Sequence, residues 1–229
     1  MIRSMRWNRV TFSLLGTVTG AALGLLALVP DPTTRLVLLT TTLAVAGAAT
    51  GAVIHGLGQA SIIDHTTGLF NRRYFVRHLD AELARARRHN RSLALVIMDI
   101  DDFKRCNDRY GHLTGDMVLR TFSQIARSMV RASDTFARWG GEEFALVLPE
   151  TDRMGAAAVA DRIRQQLAAA VLPTVSLGVT ISGGVACFPE DGGDAEELVS
   201  AADSALYRAK QSGNKVTVFC ARSCNEAKN

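Results

Sequence analysis

The residues Gly140-Gly141-Glu142-Glu143-Phe144 combine two flexible glycines with two carboxylates. Strand-forming segments lie on both sides, so the Gly-Gly pair predicts a tight hairpin turn between two strands. Glycine lets a backbone approach a ligand closely, and carboxylate oxygens are the ligands that Mg²⁺ prefers. Taken alone, the pentapeptide is equally compatible with a solvated turn, because Gly-Gly and Glu-Glu pairs are both common at loop tips.

A second set of candidate residues begins where an apolar run ends. Ser92 to Met98 is rich in strand formers and is followed by Asp99, Asp101 and Asp102. Acids that follow an apolar strand lie at its carboxyl edge, where open α/β sheets usually bind ligands. Asp99 and Asp101 share a face if the strand stays extended, and Asp99, at the inner end, needs a compensating cation. Asp102 directly precedes a helical pattern and is predicted to cap that helix.

Helical and extended patterns alternate through the region that carries these motifs. Apolar residues at helical spacing predict four helices, and β-rich runs predict the strands between them. We therefore expect an α/β sandwich with a mixed central sheet flanked by helices. The predicted helices are Asn71–His89, Asp116–Val130, Val159–Val171 and Leu198–Ala209, and the predicted strands outside the hairpin are Ser92–Met98, Val175–Phe188 and Val216–Phe219.

Two uncharged runs precede this region, Val10 to Val29 and Leu36 to Gly58. A helix of about 20 apolar residues spans the hydrocarbon core of a bilayer. We predict a transmembrane helical hairpin in residues 1–58, with spans at about 10–29 and 36–58, and one domain in residues 59–229. A cleavable signal peptide is disfavoured, because the first run is long, no small-x-small cleavage site follows it, and a second run comes at once.

The distribution of arginines predicts the orientation of this hairpin. Three arginines precede the first run and three follow the second run closely, whereas the turn between the runs holds only Arg35. The positive-inside rule then places both termini and the following domain in the cytoplasm. The arginines at the two ends are Arg3, Arg6, Arg9, Arg72, Arg73 and Arg77.

Composition argues against two other classes of protein. The chain has 229 residues and a formal net charge of +4, most of it in the N-terminal arginines. The region from Gln59 onward is nearly balanced, which gives no argument for a nucleic-acid-binding surface. The four cysteines show no metal-ligand spacing, so we expect reduced thiols in a cytosolic domain and no structural zinc. They are Cys106, Cys187, Cys220 and Cys224.

The acidic motifs resemble those of one protein family. Gly140-Gly141-Glu142-Glu143-Phe144 is similar to the signature of the GGDEF family, the bacterial diguanylate cyclases, in its GGEEF form. The resemblance runs from Asp64 to Phe219. It begins with Asp64-His65-Thr66-Thr67-Gly68-Leu69-Phe70-Asn71-Arg72-Arg73, in which Thr66 replaces a usual leucine. It continues through Asp99-x-Asp101-x-Phe103-Lys104-x-x-Asn107-Asp108-x-x-Gly111-His112-x-x-Gly115-Asp116.

This resemblance implies the palm-like fold of nucleotide cyclases and polymerases. It implies a homodimer, with one GTP on each subunit, that condenses two GTP into cyclic di-GMP and two pyrophosphates. The predicted hairpin would anchor this enzyme in the bacterial inner membrane. Asp99, Glu142 and the backbone carbonyl of Ile100 would hold Mg²⁺, or Mn²⁺ in its place. Asn107 and Asp116 would read the guanine edge, with His112 near the base and ribose. The other implied substrate-binding residues are Phe103, Lys104, Gly140, Gly141 and Lys210.

The chemistry of the residue types agrees with these roles. Attack of a 3′-hydroxyl on an α-phosphate builds charge on two oxygens, and metal ions held by carboxylates stabilise both. Asp116 suits guanine because a carboxylate accepts from N1–H and N2–H, which adenine does not offer. Neighbouring strand residues point to opposite faces. We therefore assign Glu142 to the metal and to deprotonating the hydroxyl, and Glu143 to holding the nucleotide or a second metal.

Arg131-Ala132-Ser133-Asp134 lies where the family carries its RxxD product-inhibition site. An arginine can clamp the O6/N7 edge of guanine, and an aspartate can accept from N1–H. An i,i+3 ion pair at a helix end is the alternative interpretation. Arg162 or Arg164 is a candidate for a further contact, although a solvated helix face is the simpler explanation.

One segment departs from the family pattern. Lys210-Gln211-Ser212-Gly213-Asn214-Lys215 stands where the family tends to have Lys-x-x-Gly-Arg-Asn, so an arginine is absent. Lys210, or Lys215 as a substitute, supplies only a point charge, and weaker GTP binding is expected. Two other functions stay open. A catalytically silent GTP or cyclic di-GMP receptor is favoured only by the absent arginine, and a palm-domain cyclase making another nucleotide is disfavoured by Asn107 and Asp116.

Overall fold

The computed structural model describes residues 31–172 and 178–219. The chain divides into two units, Met1–Ser61 and Ile62–Asn229. The predicted first span, residues 10–29, lies outside the described residues.

The first unit contains a single described helix, α1 (Pro32–Ala60), in which the predicted second span lies. Asp31 starts the helix, because its carboxylate accepts a hydrogen bond from the Thr34 amide at 2.7 Å. Residues Pro32–Gly51 are long and apolar enough to cross a membrane. Within the described part of the chain, no other helix is long and apolar enough to do so. A signal sequence passes the same test of length and composition. Residues 36–58 are therefore helical, whereas the membrane span and the two-helix hairpin stay predictions.

The second unit is built on a six-stranded sheet. The strands are β1 (Phe70–Asn71), β2 (Leu93–Ile100), β3 (Thr135–Gly140), β4 (Glu143–Pro149), β5 (Ile181–Phe188) and β6 (Val216–Val218). Their order in the sheet is β1-β3-β4-β2-β5-β6. The two outer strands pair in parallel with their neighbours and the inner pairs are antiparallel, which confirms the predicted mixed sheet.

Helices cover both faces of this sheet. They are α2 (Arg72–His89), α3 (Phe103–Tyr110), α4 (His112–Arg127), α5 (Arg153–Ala169) and α6 (Ala195–Lys210). Alternate residues of β2 enter two separate cores. Leu95 and Ile97 pack with residues of α2 and α6, whereas Val96 and Met98 pack with residues of α4 and α5. Burial on both sides explains why this strand is apolar throughout rather than alternating.

The segment after β2 differs from the sequence prediction. The predicted helix Asp116–Val130 corresponds to α4, which begins earlier and ends earlier, and the helical pattern after Asp102 forms the separate helix α3. Gly111, with φ of 82°, separates the two helices. Gly115 lies inside α4, where glycine is unfavourable and obscures the helical pattern. The close packing of Asn107 nevertheless requires glycine at this position, because a Cβ would lie 2.0 Å from the Asn107 side-chain oxygen.

The predicted capping role of Asp102 is wrong in one respect. Asp102 does occupy the N-cap position of α3, but its backbone is left-handed, with φ of 53°, and its side chain makes no capping hydrogen bond. A capping residue usually has extended backbone angles, which aim its side chain at the first free amides of the helix. The left-handed backbone of Asp102 is incompatible with that geometry.

Replacing Gly184 by alanine should destabilise the domain by about 3 kcal/mol. A Cβ at Gly184 would lie 2.1 Å from the Ala202 carbonyl oxygen and 2.3 Å from the Leu206 amide nitrogen, so backbone atoms of α6 would have to move. The neighbouring Gly183→Ala is the matched control, because its Cβ would meet Met98 Cγ at 3.4 Å, an ordinary contact. Denaturant unfolding measures both changes, and equal stability of the two variants would contradict the expectation.

Candidate active site

Two acids of the predicted site lie directly opposite each other in the sheet. Asp99 on β2 is the register partner of Glu143 on β4. Because register partners point to the same face, both side chains lie on the face covered by α2 and α6. The turn that joins β3 to β4 also reaches β2, since the Ile100 amide donates to the Glu142 carbonyl oxygen at 3.3 Å. The structure thus brings Asp99, Ile100 and the GGEEF turn together.

Asp99 is the electrostatic centre of this group. Its side chain is only 13% exposed, and Lys210 Nζ lies 2.5 Å from its Oδ1. Burial raises the pKa of this carboxyl above its ordinary value; Lys210 opposes the rise, and the charges on Glu142 and Asp101 add to it. A buried carboxylate among like charges is stable only beside a cation, and Lys210 provides that charge.

These residues fit a divalent cation. Two carboxylates and a backbone carbonyl are hard oxygen donors, and the like charge around Asp99 favours a cation beside it. Among the described residues, no three His, Cys, Asp or Glu side chains form a group that could hold a metal ion. The predicted set of Asp99, Glu142 and the Ile100 carbonyl therefore leaves the remaining coordination positions to phosphate oxygens or water.

Glu143 faces a second acid. Burial raises the pKa of Asp203 on α6; the charge on Glu143 raises it further, and Arg72 opposes both. Glu143 therefore lies in a different charge environment from Glu142. This placement agrees with the prediction that Glu142 and Glu143 have different roles. The role of each glutamate stays a prediction.

A pair that sequence reasoning did not select as site residues holds the GGEEF turn. Arg138 donates from Nε and Nη2 to the Gly141 carbonyl oxygen at 2.9 and 2.7 Å. Its Nη1 lies 3.2 Å from Asp64 Oδ1, and both side chains are 16% exposed. Asp64 also accepts from the Thr67 amide and hydroxyl. Asp64 lies in a family motif and Arg138 lies shortly before the Gly-Gly pair, but no local pattern links the two residues, because they are far apart along the chain.

The predicted nucleotide-binding residues of α3 and α4 lie at the corner where these two consecutive helices meet. Asn107 packs against Gly115, and Asp116 follows that glycine directly. His112 and Lys104 are exposed at the starts of their helices. The Phe103 side chain is buried in the core, so only its backbone is available to a phosphate. The structure thus places the Asn107 side chain against the glycine that precedes Asp116, and the guanine-binding role of both residues stays a prediction.

The segment that departs from the family pattern forms a tight turn after α6. Gly213 and Asn214 both have left-handed backbone angles, with φ of 64° and 46°. The Asn214 amide donates to Asp101 Oδ2 at 2.9 Å, and its side-chain oxygen accepts from Arg164 at 3.0 Å. Arg164, one of two candidates for a contact near the RxxD segment, therefore lies beside this turn instead.

The RxxD segment is folded on itself. The Asp134 carboxylate accepts from the Arg131 amide at 2.8 Å, and the ion pair between the two side chains is not formed. Arg131 lines two cavities, of about 320 and 310 Å³, and Asp134 lines the second. Arg162 donates to the Met129 carbonyl at 3.1 Å, which places it close to this segment. A guanidinium beside two cavities is consistent with a ligand site.

The fold and the acids at the end of β2 define the class: an α/β domain with a palm-like sheet. Residues 61–216 match the family model described as diguanylate cyclase, GGDEF domain, and the chain belongs to this family.

Two relatives show the same relationship. The chain is 38% identical over 164 residues to the response regulator PleD of Caulobacter vibrioides, an alignment that covers 70% of this chain and 36% of PleD. It is 40% identical over 158 residues to the diguanylate cyclase DgcP of Pseudomonas aeruginosa, covering 68% of this chain and 23% of DgcP. The chain thus matches well under half the length of these relatives.

Solved structures share the fold of the second unit. The GGDEF domain of DgcB from Caulobacter crescentus in complex with c-di-GMP is 33% identical, with a TM-score of 0.64 over 69% of this chain and 92% of that one. The active GGEEF domain of a diguanylate cyclase from Vibrio cholerae is 32% identical, with a TM-score of 0.62 over 66% of this chain and 97% of that one.

Replacing Asp64 by asparagine should lower the stability of the domain by about 1 kcal/mol at neutral pH. Burial alone would raise the pKa of Asp64, but hydrogen bonds from Thr67 and the charge on Arg138 hold it below its ordinary value. A lowered pKa contributes stability above the unfolded value of about 3.9, and this contribution is lost as the pH falls through the folded value. The difference between wild type and variant should therefore shrink in acid.

Urea unfolding between about pH 3 and pH 7 measures this effect. Asp80→Asn, which removes an exposed carboxylate from α2, is the control and should cost little at any pH. A stability difference for Asp64→Asn that is constant across the pH range would contradict the assignment of the ion pair.

Proposed function

We propose that this chain is a diguanylate cyclase that condenses two GTP into cyclic di-GMP and two pyrophosphates. The observation that carries the proposal is the buried Asp99 carboxylate, which lies opposite the GGEEF strand and beside Lys210. Membership of the GGDEF family supports it, as does the likeness to a GGEEF domain described as active.

Asp99, Glu142 and the Ile100 carbonyl would hold Mg²⁺ or Mn²⁺. When bound, such an ion neutralises phosphate charge and makes the 3′-hydroxyl of GTP more acidic. Glu142, in the turn, accepts the proton of that hydroxyl. Lys210 then exchanges its contact with Asp99 for the triphosphate, and exposed Lys104 adds a second positive charge.

The corner between α3 and α4 would select the base. Asp116 accepts from N1–H and N2–H of guanine, and the Asn107 amide complements the neighbouring edge. Adenine lacks both donors, which disfavours a cyclase that makes another nucleotide. The guanine is thus bound by helices that pack directly on the strand bearing Asp99.

Each domain offers one such site, and the product joins two nucleotides, so the active form would be a homodimer. α1 would anchor the chain in the bacterial inner membrane and bring two copies together in the plane of the bilayer. Product binding at Arg131 and Asp134, with Arg162 nearby, would give feedback inhibition.

One observation favours a second function, that of a catalytically silent GTP or cyclic di-GMP receptor. Asn214 stands where the family tends to have an arginine. The positive charge near it comes from Lys210 or Lys215, and a lysine lacks the paired donors of a guanidinium. The acids at Asp99, Glu142 and Glu143 argue for catalysis, because a receptor has no need of them.

Replacing Glu142 by glutamine should lower turnover by at least about 100-fold, because the variant can neither bind the metal ion as a carboxylate nor accept the proton. The assay supplies the purified full chain with GTP and Mg²⁺ at several protein concentrations and identifies cyclic di-GMP by mass. Glu196→Gln, the same exchange at an exposed position in the first turn of α6, is the control. Full activity in Glu142→Gln would refute the assignment, and GTP binding without any product from wild type would favour the receptor.

Replacing Arg131 by alanine should abolish feedback while turnover is kept, because the side chain lines cavities outside the acid cluster. Initial rates measured with added cyclic di-GMP should fall in wild type and stay constant in the variant. Arg88→Ala, which removes an exposed arginine from α2, is the control and should keep inhibition. Inhibition of Arg131→Ala at wild-type product concentrations would exclude the proposed site.

A further inference from the structure

We infer that Asp101 is a positioning residue that acts through the turn after α6, holding Lys210 in place against Asp99. The inference rests on the proposed function, because it assigns Lys210 to the triphosphate. Asp101 belongs to the family motif, but it is assigned neither to the metal ion nor to the nucleotide.

The Asp101 carboxylate accepts three hydrogen bonds from protein donors. Its Oδ1 accepts from the Ser182 hydroxyl at 2.8 Å, and its Oδ2 accepts from the Thr180 hydroxyl at 2.8 Å. Its Oδ2 also accepts from the Asn214 amide at 2.9 Å. A carboxylate offers about four acceptor sites, so three hydrogen bonds leave little capacity for a metal ion. Asp99, in contrast, is bound by Lys210.

The turn held by Asp101 is fixed by contacts from three parts of the domain. Gly213 and Asn214 are consecutive left-handed residues, a conformation that glycine and asparagine tolerate best. Arg164 holds Asn214 from α5 at 3.0 Å. The Gly183 amide donates to the Lys215 carbonyl at 2.9 Å. Of these three supports, only Asp101 comes from the segment that carries Asp99.

The same turn closes the end of α6. The Ser212 and Gly213 amides both donate to the Ala209 carbonyl oxygen, at 3.2 and 3.1 Å. Lys210 is the last residue of that helix, and its ammonium lies 2.5 Å from Asp99 Oδ1. A shift of Asn214 therefore moves the residues that end the helix and displaces Lys210 from the acid.

The test is a double-mutant cycle on the full chain, read by calorimetric binding of 3′-deoxy-GTP, which lacks the attacking hydroxyl. Asp101→Asn should weaken binding about tenfold, because it removes the charge that accepts the Asn214 amide. Lys210→Ala should weaken binding similarly, and the double variant should bind no worse than Lys210→Ala. Asp102→Asn removes an exposed carboxylate next in the chain and should bind as wild type does.

A second measurement needs no nucleotide. The rate at which an amine-acylating reagent labels Lys210, followed by mass spectrometry, should rise in Asp101→Asn and stay unchanged in Asp102→Asn. Asp101→Glu, which keeps the charge but moves the oxygens, should show the same changes in both assays and replaces Asp101→Asn if that variant does not fold. Additive losses in the cycle, or unchanged labelling of Lys210, would overturn the inference.

The outcomes separate this inference from the proposed function. Wild type that makes cyclic di-GMP but gives an additive cycle contradicts the role of Asp101 alone. Wild type that binds 3′-deoxy-GTP but makes no product from GTP contradicts the proposed cyclase activity. The double-mutant cycle can still be measured in that case, because it reads binding. Wild type that does not bind 3′-deoxy-GTP contradicts the cyclase, and the labelling of Lys210 then decides the role of Asp101. The Mg²⁺ concentration that nucleotide binding requires is compared between Lys210→Ala and the double variant. A difference between the two would make Asp101 a metal ligand and would overturn the inference.

Discussion

The ionised state of Asp99 depends on the positive charge beside it. A buried carboxylate costs several kcal/mol unless it is paired, and here it lies close to two further acids. Lys210 pairs with it, and the end of α6 must therefore lie over the end of β2. The turn after α6, the serine and threonine hydroxyls on Asp101 and the anchored GGEEF turn all lie around this one contact.

The elements under the site are rigid for a simple physical reason. β2 is buried on both faces, and its neighbours β4 and β5 pair with it in antiparallel register through Asp99. Side chains that extend from such a strand have little freedom, and sites built on strands hold their geometry better than sites on loops. The turn is less constrained by the sheet, and Arg138 compensates by holding the Gly141 carbonyl.

Much of this arrangement could be predicted from the sequence because it follows local patterns. The apolar run of β2, the helical spacing of Phe75, Leu79 and Leu83, and the Gly-Gly turn each depend on neighbouring residues, and all appear where they were expected. The first turn of α4 lies outside the predicted helix, because Gly115 weakens the helical pattern there and the close approach of Asn107 that requires a glycine is not visible in the sequence.

Other features depend on residues that are distant in the chain, which no local pattern encodes. Arg138 meets Asp64, and Asn214 meets Asp101, only after the sheet has formed. Asp99 and Asp101 looked alike in sequence as two acids at one strand end. The structure separates them, since one faces a lysine and the other faces hydroxyls and an amide. Their different partners follow from the neighbouring strand and turn.

The contact between Lys210 and Asp99 also bears on how the domain tolerates chelators. Because a side chain of the protein balances the buried acid, folding does not require a bound metal ion for neutrality. The domain differs in this way from zinc fingers, in which the free energy of metal binding is the free energy of folding. Under the proposed function, an ion that binds with the nucleotide would replace one positive partner of Asp99 by another, and the domain would already be folded before the ion binds.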